Sequence, residues 1–242
     1  MFTLFKVDIE QFQIPEVLSL TTDMPHELCL LAAKELKQHL SQNQFFNHNF
    51  GLKEENDLAI IGKMFGVLIV KLTTGNLGYL SGFSGKLGGK NTYTEFVPPV
   101  FDLLTEGSFL NAGMQKLNRM NEEIKATKLD HNKLKELKAV RRIHSTTLQN
   151  KIFDQYHLLN QAGMSKSLRG IFSNAGYKNP PAGAGECAGI KLLQYAFLHN
   201  MKPLALAEFW WGQSPKSATW KHGQFYPCCK EKCEPILQHM LT

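Results

Sequence analysis

Met64-Phe65-Gly66-Val67-Leu68-Ile69-Val70, then Thr73-Thr74-Gly75-Asn76, then Leu77-Gly78-Tyr79-Leu80-Ser81-Gly82-Phe83 is the stretch from which the fold is read. Two short apolar runs rich in β-branched and aromatic residues, joined across a Gly-Asn turn, predict a β-hairpin. Gly66, Gly78 and Gly82 inside the runs signal bulges or close approach of another backbone.

Upstream, the first 22 residues alternate loosely, contain Pro15 and read as an extended lead-in. Asp23 is expected to cap a helix on which Leu28, Leu31, Ala32, Leu36 and Leu40 recur at helical spacing to about Gln42. Cys29, on that helix, reads as a small core residue. Gln44 to Asp57 is polar and irregular. Downstream, Phe96-Val97-Pro98-Pro99 breaks the chain, and a short helix to about Thr105 is expected. From Asn111 to Asn160 there is no proline and only one glycine, Gly113, while Leu117, Met120, Ile124, Leu134, Leu137, Val140, Leu148 and Ile152 keep a helical period. That predicts one long helix, about 70 Å at 1.5 Å per residue, or an antiparallel pair breaking near Lys128 to Asn132. Ser165 to Phe172 predicts a short helix, and Pro203 to Gly212 a buried strand.

The fold class is therefore α+β and helix-rich, with a small sheet built on the hairpin and the strand near Leu206. Three parts are expected: residues 1–109 around the hairpin, 110–162 as the helical segment, and 163–242, which packs with 1–109 as one domain. The formal charge of +6 and a pI near 9.0 favour polyanion partners, nucleic acid first. No apolar run approaches the roughly 18 residues of a membrane span, and no signal-like segment opens the chain. An odd count of five cysteines, three of them within six positions, makes a poor disulfide framework, so a reducing cytoplasm is the expected setting.

Four of the five cysteines and all three tryptophans lie between Pro180 and Leu237. Gly183 and Gly185 allow a tight turn before a helix starting near Glu186, and a last helix is predicted from about Cys228 to Met240. Cys229 and Cys233, four apart, share a helix face and suit one ion, with Cys187 and His222 as further ligands. Thiolates with imidazole select zinc; buried reduced thiols are the plainer alternative. The order of hairpin, Glu-Cys helix, strand and Pro-Cys helix also suggests a deaminase-like layout. It departs from that pattern because Glu186 precedes Cys187 and the paired cysteines are spaced C-C-x-x-x-C.

Lys216, Lys221, Lys230 and Lys232 interleave with Trp210, Trp211, Trp220, Phe225 and Tyr226, the combination that single-stranded RNA binding uses. Several of these aromatics also suit a core. Lys133, Lys135, Lys138, Arg141 and Arg142 crowd one portion of the long helical segment. They read either as a phosphate-tracking stripe or, more plainly for a helix without interleaved aromatics, as a solvated face. No P-loop, no G-x-G-x-x-G and no supported Ser-His-Asp constellation is present.

Taken together, the chain resembles the long N-terminal region of a subgroup of RluA-type RNA pseudouridine synthases. The resemblance is carried by Gly62–Leu68, Gly78–Leu87, Phe96–Asp102, Pro180–Leu193, Ala207–Trp211 and Phe225–Leu237, with the glycine-proline-cysteine segment the most specific. It implies isomerisation of uridine in ribosomal or transfer RNA by a separate synthase domain that needs no metal or organic cofactor and uses an Arg-Leu-Asp aspartate. That motif is absent here, Lys128-Leu129-Asp130 being the nearest string, so no catalytic residue is assigned. The resemblance implies a covalently linked synthase domain following Thr242 in the full-length protein, and an RNA-orienting rather than catalytic role for this chain. The expected RNA contacts are Lys216, Trp220, Lys221, Lys230, Lys232, Arg141 and Arg142. The competing expectation is a zinc-binding, deaminase-like domain, structural or weakly catalytic. A homodimer through the long helix is a third.

Overall fold

The computed structural model describes residues 1–20, 24–42, 48–52, 61–105, 107–127, 130–217 and 219–242. The predicted Asp23 cap and most of the polar stretch from Gln44 to Asp57 lie outside them. The fold is α+β. A mixed sheet runs in the order β1 (Ser19–Leu20), β6 (Lys202–Trp211), β2 (Lys63–Lys71), β3 (Leu77–Phe83), with β7 (Phe225–Tyr226) pairing the same edge of β6 as β1. β2 and β3 form the predicted hairpin in register Phe65↔Phe83 to Lys71↔Leu77, and β6 lies antiparallel to β2.

Why the hairpin runs are apolar at successive positions follows from the two layers that cover them. On one face Phe65, Val67, Ile69, Ala205, Ala207 and Phe209 pack against α1 (Glu27–Gln42) through Leu28, Ala32, Leu36 and Leu40. On the other, Leu68, Val70, Leu80 and Leu206 pack against α5 (Ala188–Leu198) through Ile190, Leu192 and Leu193. A strand buried on both faces loses its polar alternation. Glycine serves close approach: a Cβ on Gly78 would sit 2.4 Å from the Thr3 carbonyl oxygen. The N-terminal segment is held there by Thr3–Tyr79 backbone bonds and by Glu35, whose carboxylate accepts from Lys6 N and Tyr79 Oη.

The helical segment is an antiparallel pair, α2 (Phe109–Ala126) and α3 (His131–Phe153), capped by Ser108 and Asp130. Three expectations are corrected. The residues after Pro98-Pro99 do not form a helix; Asp102 instead accepts from Leu104 N and Asn91 Nδ2 in a turn. Ser165–Ser167 form β5, paired with β4 (His157–Leu159) in a second sheet, and the helix α4 (Leu168–Asn174) starts only after them. The last helix, α6 (Glu234–Met240), begins after the cysteines, with Pro235 in its first turn. Among the described residues no helix is long and apolar enough to cross a membrane.

Candidate metal centre

Cys187 stands at the N-cap of α5, at the end of the glycine-rich loop. Gly183 and Gly185 take φ of 77° and 88°, and a Cβ on Gly185 would lie 2.7 Å from the Tyr156 ring, so the turn needs glycine there. The loop is clamped on the end of β3. Gly85 N donates to Glu186 O (3.0 Å), and Ala188 N donates to Ser84 Oγ (3.0 Å). Lys191, one turn into α5, is buried and sends Nζ to Phe83 O (3.2 Å) and Gly85 O (3.3 Å), 3.4 Å from Glu186 Oε2. Tyr156 Oη donates to the other oxygen of Glu186.

Cys229 and Cys233 come from a tight turn preceding α6, in which Cys233 N donates to Cys229 O (3.1 Å). That bond has helical i to i+4 spacing, so the two side chains meet without a full helix: their Sγ atoms are 3.4 Å apart. The Sγ atoms of Cys187, Cys229 and Cys233 all lie within 4.8 Å of one another. Zn–S bonds of about 2.3 Å at tetrahedral angles put sulfurs roughly 3.8 Å apart, within the spread seen here. The donor set is soft and suits a thiophilic ion. Hydrogen bonding with Cys187 and then with Cys233 holds the Cys229 thiol well below the usual range. Cys187 is pushed up first by its hydrogen bond with Cys229, against a lowering bond with Cys233, and then by burial; Cys233 is pushed up first by its bonds with Cys187 and Cys229 and then by burial.

The three thiols line a cavity of about 500 Å³ that Glu208, Trp210, Trp220, Lys230 and Lys232 also line. Glu208, on β6, is buried; burial pushes its carboxyl above the usual range, while Gly189 N donates to Oε1 (2.9 Å). Cys228 turns the other way. Its Sγ donates to Glu208 Oε2 (3.4 Å) and lines a separate cavity with Leu20 and Leu237, and burial raises its pKa.

Of the four expected metal ligands, Cys187, Cys229 and Cys233 come together and His222 does not join them. His222 Nδ1 accepts from Gly212 N (2.9 Å), and its ring lies 4.4 Å from that of Trp211. Of the expected RNA contacts, Trp220, Lys230 and Lys232 line the cavity. Trp220 stacks on Trp210 at 18°. Lys216 and Lys221 are exposed and not part of that lining, and Lys221 N donates to Tyr226 Oη (2.7 Å). Arg141 and Arg142 are on α3, where Arg141 Nε donates to Asn121 Oδ1 of α2. Sequence reasoning passed over Lys191 and Glu208. Each is a lone charge in an apolar run, Gly189-Ile190-Lys191-Leu192-Leu193 and Leu206-Ala207-Glu208-Phe209-Trp210, and that isolation was the available signal. No family model, no curated protein and no solved structure matches this chain.

Proposed function

We propose that this chain is a zinc-holding, RNA-binding accessory module of an RNA pseudouridine synthase of the RluA type, supplying grip and not isomerase chemistry. The observation that supports it is co-location: three metal-competent thiols share one cavity wall with Trp220, Lys230 and Lys232, a stacking face and two cations. Cys187, Cys229 and Cys233 would hold the zinc, which fastens the start of α5 to the turn before α6. All five cysteines are free, which suits a reducing cytoplasm where thiolates remain available to a metal. Protein purified without added zinc carries stoichiometric metal, binds structured RNA with an affinity that falls steeply with salt, and releases no tritium from 5-tritiated uridine RNA. Zinc-free protein, salt-insensitive binding, or tritium release by this chain alone would each overturn the reading.

A second reading, a deaminase-like zinc domain, is favoured by one juxtaposition. Zinc nucleobase deaminases carry a catalytic glutamate two residues after the first metal ligand. Here that position is Gly189, and a Cβ built on it would lie 3.6 Å from the carboxyl carbon of Glu208, which reaches in from β6. Zinc held there would supply a Lewis acid that activates water at neutral pH; of the two carboxylates lining the cavity, Glu208 and Glu231, Glu208 is the buried one, and burial favours its protonated form. Deamination of cytosine or adenine in single-stranded RNA, abolished by Glu208→Gln with zinc content unchanged, is its test. No deamination with zinc bound eliminates it.

A further inference from the structure

We propose that the α2–α3 hairpin is a grip for the phosphate backbone of double-helical RNA. The inference rests on RNA being the partner, and adds where a stem is held and why a stem rather than a single strand. Residues 109–153 contain ten Lys and Arg against four Asp and Glu, a net +6 that equals the charge of the whole 242-residue chain; the remainder is neutral. The sequence concentrates its polyanion-binding charge in this one element.

The charge is available. Among the described residues the hairpin has one ion pair, Lys125 with Glu122, which leaves Lys133, Lys135, Lys138 and Arg142 exposed and unpaired by carboxylates on α3. Lys135, Lys138 and Arg142, three and four apart, lie along one flank of the helix. On the other side, α2 and α3 enclose a groove of about 350 Å³ whose lining includes Lys116, His144, Thr147 and Lys151 and no carboxylate. The helices approach closely enough to shape it because Gly113 faces Leu148, where a Cβ would lie 2.6 Å from Leu148 Cδ1, and because the His144 ring bonds to Gly113 O. Two ammonium groups and a hydroxyl around a groove without carboxylates suit phosphate oxygens.

The exposed cationic flank, which carries no aromatic, favours a duplex over a single strand. Residues 110–152 include no Phe, Tyr or Trp; of the two aromatics at the hairpin's ends Phe153 is buried and Phe109 lines the groove, so the flank of Lys135, Lys138 and Arg142 has no face on which an unpaired base can stack. Duplex RNA is recognised through shape and phosphates and needs none. The aromatic cavity beside the thiols, with Trp210 and Trp220 on its wall, is the surface suited to an unpaired nucleotide.

The test is fluorescence anisotropy of the full chain with an RNA stem-loop and with an unpaired oligouridine of equal length, between 50 and 200 mM salt. Lys116→Gln/Lys151→Gln lowers the salt slope for the stem-loop by about 1.8, and Lys135→Gln/Lys138→Gln/Arg142→Gln by about 2.7, at about 0.9 for each phosphate the protein no longer neutralises. Oligouridine binding is unchanged, Lys116→Arg/Lys151→Arg restores the slope, and circular dichroism reports intact helices. Wild-type binding with slopes unaltered in the variants, or equal losses on both RNAs, overturns this inference alone. Failure of the wild type to bind the stem-loop overturns it together with the RNA reading. A dimer in light scattering that Ile143→Glu dissociates would make the hairpin an interface between copies and overturn it as well.

Discussion

Replacing Lys191 by methionine keeps the side-chain volume and removes the one cation that ties α5 to the end of β3. The side chain is 1% exposed, and its Nζ serves two main-chain carbonyls and the Glu186 carboxylate. Hydrogen bonds from a charged donor contribute about 1.5–3 kcal/mol each. Breaking a buried ion pair by removing one partner costs about 3–5 kcal/mol. Glu186 is 20% exposed and keeps Tyr156, so its share is discounted and the carbonyls dominate. The expected loss is about 3–4 kcal/mol, which for a chain of this length lowers Tm by roughly 10 °C. Because Cys187 sits one helical turn before Lys191, zinc affinity should also fall about tenfold, the lower end for groups that orient a ligand. Urea titration and thermal melts, with and without zinc, measure both effects. A loss under about 1 kcal/mol would refute the view that this lysine clamps the cysteine loop.

Three further perturbations have defined outcomes. Glu208 keeps its proton to higher pH when folded than when unfolded, so its stabilising contribution is complete below the usual carboxyl range and lost as pH rises through the folded value. Glu208→Gln retains an acceptor for Gly189 N and cannot ionise, so the metal-free variant melts above wild type at neutral pH. Inside the window the difference grows by up to about 1.4 kcal/mol per pH unit; a constant difference from pH 4 to 8 would contradict the burial argument. Zinc uptake near pH 7 should displace fewer than three protons, chiefly from Cys187 and Cys233, because the hydrogen bonds of the cluster favour the charged form at Cys229. Calorimetry in two buffers of different ionisation enthalpy counts them, and a count near zero or three contradicts the assignment. Gly78→Ala drives a Cβ into the Thr3 carbonyl and the Phe2 ring, so the N-terminal segment leaves β3 at a cost of about 1–3 kcal/mol. Amide exchange at Thr3 and Tyr79 should accelerate; unchanged protection would contradict it.

The sheet's long strands were legible because Leu68, Val70 and Leu206 on one face and Val67, Ile69 and Ala207 on the other are all buried, leaving local apolar runs. The strands that escaped notice are β1, β4, β5 and β7, each of two or three residues, with little local pattern and pairing set by distant partners. Pro235 was a readable start signal for α6, since proline is tolerated in a first helical turn; the cysteine spacing, read as helical, outweighed it. The meeting of Cys229 with Cys233 was legible from that same spacing, since a single turn brings the two together as a helix would. His222 is near Cys228 in sequence only, and its ring is committed to Gly212 N. Glu208 and Gly189 are nineteen positions apart and meet through strand–helix packing, which no local pattern encodes.

X-ray absorption at the zinc edge, on protein purified without added metal, bears most directly on the claim that Cys187, Cys229 and Cys233 grip one ion in the cavity wall. Three sulfurs at about 2.3 Å and a single nitrogen or oxygen at about 2.0 Å are expected. A shell of four sulfurs, which would require Cys228 to leave Glu208, or a protein with no zinc whose three thiols all react freely with an alkylating agent, would contradict it.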